Sequence, residues 1–251
     1  MIFKIKRTDS GRVIFSCEAK TFKECVEKAV SRGVDLSFAD LSGRDLSNAI
    51  LVQAKISSAN FSFSDLSDAK LSLSICSFAD FTGAKMERAY LRNSDAMEAD
   101  FTRANMSYAV LTGVCLHGSK FDRTDLYMAS FDNASLREVS FNTAIGADLV
   151  IAQQSIVPET GSFIGYKKVS SGKIVTLLIP GDAKRLNSYG SRKCRADKAI
   201  VLNGSGVSKY DENFKYVAGE TVFAREFSSD RSQECEAGIH FFITRAEAED
   251  Y

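Results

Sequence analysis

The stretch ADFTGAKMERAYL, residues 79–91, follows neither the two-residue period of a strand nor the 3.6-residue period of a helix. Its small residues Ala79, Ala84 and Ala89 recur every five positions, and so do Phe81, Met86 and Leu91. The frame extends from Leu36 to Phe141, 22 apolar centres without a slip. Two residues before each centre the side chain is usually small, as at Ala39, Ala49, Ala59, Ser64 and Ala79, with Arg44 the clear exception. The residue just before the centre is often Asp or Asn, and the one after it mostly Ser or Thr. Five residues are too few for a helical hairpin but enough for one short strand and a corner. Alternation in that strand points the small residue and the centre inward and the Asp between them outward.

A longer period counts the corners. Phenylalanine stands at centres 61, 81, 101, 121 and 141, twenty apart. The neighbouring columns read Leu46, Leu66, Met86, Met106, Leu126, then Leu51, Leu71, Leu91, Leu111, Phe131, and finally Leu36, Ile56, Cys76, Ala96, Leu116, Leu136. Twenty residues per coil predict four five-residue sides, stacked at about 4.8 Å into a rod roughly 26 Å long. The repeats ADFTG, ANFSF, ADLSG and AKMER resemble the pentapeptide repeat, A(D/N)Lxx. The resemblance implies a mainly β fold whose 34–145 segment is a right-handed quadrilateral β-helix solenoid. The residues themselves give only the four-sided period.

A solenoid leaves open strand edges that need caps. Residues 2–18 read as a hairpin and Thr21–Arg32 as a helix, with Thr21 and Glu24 as a capping box and Gly33 as its stop. This 1–33 leader is expected to dock on the first coil. Similar leaders precede pentapeptide repeats in some phage-encoded proteins, so the resemblance implies a phage or prophage origin. Beyond Phe141 the period fails, and residues 150–251 read as a small α+β domain. SFIGYKKV and KIVTLLIP form a hairpin, further strands are expected at Ala199–Leu202, Thr221–Phe227 and Ile239–Ile243, and a helix capped by Thr244 and Glu247 follows. This segment resembles an uncharacterised domain found after phage-type pentapeptide repeats.

Composition narrows the function. Thirty-two basic residues balance thirty-two acidic ones, which gives no global attraction to nucleic acid or an anionic membrane. No direct nucleic-acid binding and no membrane association are expected. No run of 18 apolar residues predicts a transmembrane helix, and the start MIFKIKRTDSGRV lacks a signal-peptide core. Six dispersed cysteines read as reduced thiols of a cytoplasmic protein. Walker, GxGxxG, HExxH and GxSxG motifs are missing, so no cofactor, no metal and no catalytic residue is expected and the enzyme reading is not the favoured one.

The filled interior assigns Cys76 to packing, and His117, just after a centre, to the surface. Some members of the resembled family imitate duplex DNA with acidic rows and engage gyrase. Here residues 34–144 hold 14 acidic against 10 basic side chains, but Lys85 and Lys120 interrupt the rows, which favours a solvated face. Ile50, Val52, Leu73, Tyr90 and Val110 form a candidate interface of outward apolar residues, to be covered by the C-terminal domain, a second copy in a homodimer, or a foreign protein. Lys184, Arg185, Arg192, Lys193 and Arg195 form a candidate anion-binding cluster, in a stretch whose Gly and Ser suggest loop. Lys193 and Arg195 flank Cys194 and are placed to lower its pKa, and Cys194, Cys235 and His240 form a thiol–imidazole or zinc candidate without diagnostic spacing. The first reading is a non-enzymatic interaction scaffold whose C-terminal domain recognises an unknown host protein. The alternatives are a DNA mimic acting on a host protein such as gyrase, and an enzyme or anion or nucleotide binder centred on the basic cluster.

Overall fold

Every five-residue repeat from the first to the twenty-first turns through a left-handed residue, at positions 38, 43, 48 and onward to 138. The structure, a computed structural model, describes residues 1–189 and 191–251, with the backbone alone at Leu149 and Gln153. It has two compact units, Met1–Gln153 and Gln154–Tyr251.

In the first unit the repeats wind as a β-helix. Each residue before a centre makes a parallel bridge to its counterpart twenty positions on, from Asp35 and Lys55 through to Asp125 and Ile145. The repeat around Phe61 shows the wiring. Its N–H donates to the Asp80 carbonyl at 2.7 Å, the N–H of Phe63 donates to Thr82 at 2.9 Å, and Ser64 closes the turn onto the Phe61 carbonyl at 3.0 Å. A β-turn with positive φ at its third residue normally demands Gly or Asn. Most of these corners carry other residues, including Arg88, Glu98, Arg103 and Tyr108. A left-handed residue costs roughly 1–2 kcal/mol, which the turn bond and the bond to the next coil offset together. Glycine is needed where coils crowd. A Cβ on Gly83 would come within 2.8 Å of the Phe63 ring, which lies across it from the preceding coil.

Inside, like stacks on like. Phe61, Phe81, Phe101 and Phe121 are buried and stack with ring centroids 5.0, 5.0 and 5.1 Å apart. That spacing is the coil spacing, so one aromatic column follows from the twenty-residue repeat. The alanines two positions before the centres are buried as expected. Where Ser takes their place its hydroxyl is satisfied: Ser64 Oγ donates to the Phe61 carbonyl at 2.7 Å and Ser74 Oγ to Leu71 at 2.6 Å. Arg44 breaks the pattern by leaving the interior. It is exposed, and its guanidinium lies 4.7 Å from the Phe22 ring centroid.

The first coil is covered by an antiparallel hairpin, β1 (Ile2–Lys6) and β2 (Val13–Glu18), and by helix α1 (Phe22–Ser31). Docking is by backbone: Asp40 N–H donates to Lys6 at 2.7 Å and Thr8 N–H to Phe38 at 2.8 Å. Lys23 Nζ holds the Ser47 carbonyl and Glu27 accepts from Ile50 N–H, both at 2.9 Å. The Thr21 hydroxyl caps Glu24 N–H, but Glu24 returns its carboxylate to Lys20 N–H rather than to Thr21, so only half of the expected capping box forms. At the other end Gly33 and Val34 donate to Val30 and Ala29, which is a Schellman closure.

Helix α2 (Asp148–Gln154) spans the end of the first unit and the start of the second. The second unit is built on one antiparallel sheet. Its strands are β3 (Phe163–Lys168), β4 (Ile174–Ile179), β5 (Arg185–Asn187), β6 (Lys193–Ala196), β7 (Lys198–Asn203), β10 (Thr221–Phe223) and β11 (Ile239–Phe242), in the order β10-β7-β4-β3-β11-β6-β5. A short pair, β8 (Gly206–Val207) and β9 (Lys215–Tyr216), and helix α3 (Arg245–Asp250) complete it. Val175, Leu177, Ala199, Val201, Cys194 and Phe241 pack its core. The expected hairpin and the Thr244–Glu247 capping box form. Two expectations are corrected. The strand expected at Thr221–Phe227 ends at Phe223, where Ala224 N–H turns to the Asp197 carbonyl at 2.7 Å. The stretch read as loop around the basic cluster contains β5 and β6, whose Asn187, Lys193 and Arg195 are buried and so break the alternation that announces a strand.

Phe101→Ala removes the centre of the aromatic column and is expected to destabilise the N-terminal unit by about 3–5 kcal/mol, measured as a shift in the denaturant midpoint of the full chain.

Candidate functional site

The acidic residues of the rod have a local task. Asp80 Oδ1 accepts the N–H of Thr82 at 2.8 Å, Asp100 that of Thr102 at 2.9 Å, and Asp65 that of Ser67 at 3.0 Å. Asn60 does the same for Ser62 at 2.9 Å. The Asp or Asn before each centre thus caps the corner that follows it, an Asx turn. One column reads Asp40, Asn60, Asp80, Asp100, Lys120, Ser140, and the next Asp45, Asp65, Lys85, Asn105, Asp125, Ile145. Neither is a continuous line of charge. A third reads Ile50, Lys70, Tyr90, Val110, Ser130. The structure therefore aligns three of the five candidate interface residues, Ile50, Tyr90 and Val110, with Lys70 between the first two. Ile50 is 57 %, Tyr90 45 % and the corner residue Leu73 51 % exposed, while Val52 is half-buried.

The five cations of the expected anion cluster do not converge. Arg185 spends its guanidinium on the carbonyls of Pro158, Pro180 and Glu159, at 2.9, 2.7 and 2.9 Å. Arg195 is buried and holds the carbonyls of Ser228, Gln233 and Asp230 together with the Ser188 hydroxyl. Both are pins for loops. Arg192 pairs with Glu247 at 2.5 Å on the surface, and Lys184 is exposed. Only Lys193 faces a cavity. The thiol–imidazole candidate is split as well. Cys194 stands opposite Phe241 and Arg195 opposite His240, so alternation sends Cys194 and His240 to different faces of the sheet. The same alternation turns Lys193 and Arg195 away from the Cys194 thiol. Burial then controls it and pushes its pKa up to about 12, the reverse of the expected lowering. Cys235 is exposed, 3.4 Å from Lys193 Nζ. Among the described residues no three His, Cys, Asp or Glu side chains are grouped to hold a metal.

What the second unit does contain is a cavity of about 670 Å³. Tyr210, Phe214 and Tyr216 supply aromatic lining, with Lys167, Lys193 and His240 among them. Lys193 Nζ donates to the Tyr251 hydroxyl at 2.7 Å. Lys167 Nζ lies 5.7 Å from the Tyr216 ring centroid, and His240 Nε2 is buried without a hydrogen-bond partner. Lys167, Lys193, Tyr210 and His240 also line a smaller neighbouring cleft. Of this group the sequence pointed to Lys193 and His240. Lys167 was hidden inside a hairpin strand, where a lysine reads as solvent-facing.

Residues 35–72, 74–118 and 104–143 match the family model of pentapeptide repeats, in 8 copies. The N-terminal unit is built of pentapeptide repeats. Residues 153–248 match a family of unknown function, DUF5758. Similar solved structures include the pentapeptide repeat protein Rfr23 from the cyanobacterium Cyanothece 51142, with 21% identity and a TM-score of 0.29 over 32% of this chain and 57% of that one. QnrB1, a plasmid-mediated fluoroquinolone resistance protein, gives 22% identity and 0.22 over 42% and 67%. HetL from Nostoc sp. strain PCC 7120, involved in heterocyst differentiation regulation, gives 26% and 0.22 over 45% and 72%. The chain thus spans little more than half the length of Rfr23. No curated protein matches it.

The cavity of the C-terminal unit is electrostatically unbalanced. Burial lowers the Lys167 pKa to about 8, and the Lys193 cation adds to the effect. Burial also opposes charge on Lys193, but the Tyr251 hydroxyl and Cys235 sulfur outweigh it and hold that pKa above the ordinary lysine value. His240, desolvated and facing the Lys193, Lys167 and Arg195 charges, drops to about 4. Its imidazole is neutral near pH 7.

A folded-state pKa below the unfolded value of 6.5 means that the unfolded chain binds more protons between pH 6.5 and 4. The C-terminal unit is therefore expected to lose about 3 kcal/mol as pH falls through that window. Denaturant melts of the full chain at pH 7, 5.5 and 4 read this loss, which His240→Gln should remove.

Proposed function

We propose that this protein is a non-enzymatic interaction scaffold. Its repeats form a right-handed quadrilateral β-helix, and its C-terminal unit recognises a partner protein, which the phage-type architecture suggests is a bacterial host protein met during phage or prophage growth. The aligned ladder of exposed Ile50 and Tyr90 and half-buried Val110, with exposed Leu73 beside it, is the observation that carries the scaffold reading. Solvated solenoid faces do not require outward isoleucine and tyrosine in register, whereas protein contacts use aromatic and aliphatic anchors. The repeat interior supports it from the other side, because its centres are buried apolar side chains and its one buried centre thiol, Cys76, is raised to about 12 by burial. The rod then offers shape and stiffness rather than chemistry.

Imitation of duplex DNA draws less support. The lysines at 85 and 120 interrupt the acidic columns, and the aspartates between them are engaged in capping corners. A phosphate backbone presents charge at every step.

Affinity capture from a bacterial lysate tests the assignment with three baits: the intact chain, the chain ending at residue 153, and the Ile50→Asp/Tyr90→Asp variant. The expected result is one protein retained by the intact chain, lost with the C-terminal unit and reduced about tenfold by the double substitution, as for loss of an interface anchor. Equal retention by all three baits would remove the reading.

A further inference from the structure

Beyond the scaffold role, the C-terminal unit carries features that a purely structural domain does not need. We propose that its cavity is a binding site for a small molecule that joins an anionic group, carboxylate or phosphate, to a flat apolar ring, with the anion held between Lys167, Lys193 and His240.

Size comes first. A volume of about 670 Å³ lies inside the range of roughly 300–1,000 Å³ typical of small-molecule sites. The lining is divided in the way such ligands require. Tyr210, Phe214 and Tyr216 present ring surface, and Phe214 and Tyr216 lie 5.2 Å apart between centroids, close enough to form one aromatic wall. A flat ring placed against that wall gains stacking contact in addition to area burial.

Charge comes second. The smaller cleft that shares Lys167, Lys193, Tyr210 and His240 with the cavity adds Lys168 and Lys209, and no Asp or Glu is among its described lining residues. Lys167 Nζ makes no hydrogen bond and no ion pair among the described residues; its one contact of note is the face of Tyr216 at 5.7 Å. The main cavity is also lined by Asp211, which pairs with Arg225 at 3.2 Å, and by Glu226 and Glu236, neither of which forms an ion pair with Lys167 or Lys193 among the described residues. Two ammonium groups are thus brought together around a desolvated space with neither of them in an ion pair among the described residues, at a cost in folding free energy.

Third is the orphan atom. A buried polar nitrogen without a partner is uncommon in a native fold and asks for an explanation. His240 Nε2 is such an atom, on a residue that lines both the cavity and the cleft. One anion answers all three. It pairs with Lys167 and Lys193 and accepts from the imidazole in the tautomer, or the cation, that carries a proton on Nε2. Burial opposes the charge on Lys167 and holds His240 neutral, so negative charge placed beside them is favoured.

Calorimetric titration of the full chain at pH 7 and low salt, with phenyl phosphate, benzoate and inorganic phosphate as probes, tests this. The expected result is binding of phenyl phosphate, benzoate or both at least about tenfold tighter than inorganic phosphate, because only the first two use the aromatic wall. Which of the two binds better distinguishes a phosphate ligand from a carboxylate. Lys167→Met keeps the length of the side chain without its charge and should weaken that binding by about tenfold or more. A second readout needs no variant. Brief acetylation of the wild-type chain with acetic anhydride, followed by peptide mass spectrometry, should label Lys167 more slowly when phenyl phosphate or benzoate is present. No preference over inorganic phosphate, unchanged affinity in a folded Lys167→Met protein, or labelling of Lys167 at the same rate with and without the probes would each overturn the proposal. None of these outcomes bears on the lysate capture, which reads protein partners.

Discussion

The closure of one coil in twenty residues is the constraint from which the rest of the N-terminal unit follows. A left-handed residue recurs every five of the twenty positions, so each repeat has room for one tight turn and little strand. A turn that tight needs a left-handed third residue, and the chain supplies one at each repeat from 38 to 138, mostly without glycine. The energy comes from the ladder. Phe63, Leu73, Phe78 and Tyr108 each send their left-handed N–H to the carbonyl of the next coil at 2.8 to 3.0 Å, so the unfavourable torsion and the inter-coil bond form together or not at all. The consensus then acquires a physical meaning position by position. The centre fills the interior, the small residue admits it, the Asp or Asn caps the corner, and the residue with positive φ points out and is free to vary.

The same wiring limits what the surface can do. An aspartate that caps a corner is oriented by the backbone it serves, so acidic columns arise in this fold for reasons of turn geometry alone. The informative outward residues are those the fold does not ask for. Ile50, Tyr90 and Val110 occupy the capping position without being able to cap, and Leu73 and Phe63 project from corners. Their presence weakens local structure slightly and exposes apolar area, which makes them better evidence of a contact surface than any of the aspartates.

Periodic parts of the molecule were legible and irregular parts were not, for one reason. In the rod every residue's environment recurs twenty positions later, so Phe61, Phe81 and Phe101 could be placed in one stacked column from spacing alone. The leader was readable because Thr21 and Gly33 carry cap chemistry, although Glu24 went to Lys20 instead. In the C-terminal unit the informative residues are exceptions to alternation. Arg195 and Lys193 are buried in a four-residue strand, where sequence reads them as surface charge in a loop. Burial was affordable there because Arg195 meets carbonyls from residues 228, 230 and 233, some 33 to 38 positions away, and no local pattern announces such partners. Lys167 was missed in the same way, since a lysine in a hairpin carries no mark that tells a buried environment from a solvated one.

The contrast between Arg195 and Lys167 separates structural charge from charge held for another purpose. Both are cations whose pKa is lowered first by burial. Arg195 answers its desolvation with four acceptors, all from this chain, and removing it would take a donor from three carbonyls at once, of which Gln233 keeps the Ser188 hydroxyl. Lys167 answers with a ring face alone, and His240 beside it leaves Nε2 unpaired. A fold that satisfies one buried guanidinium so fully has no difficulty satisfying an amine. Leaving Lys167 and His240 open is therefore a property of the cavity rather than a failure of the fold, and open donors around an aromatic-walled space are complementary to something that is not part of the chain.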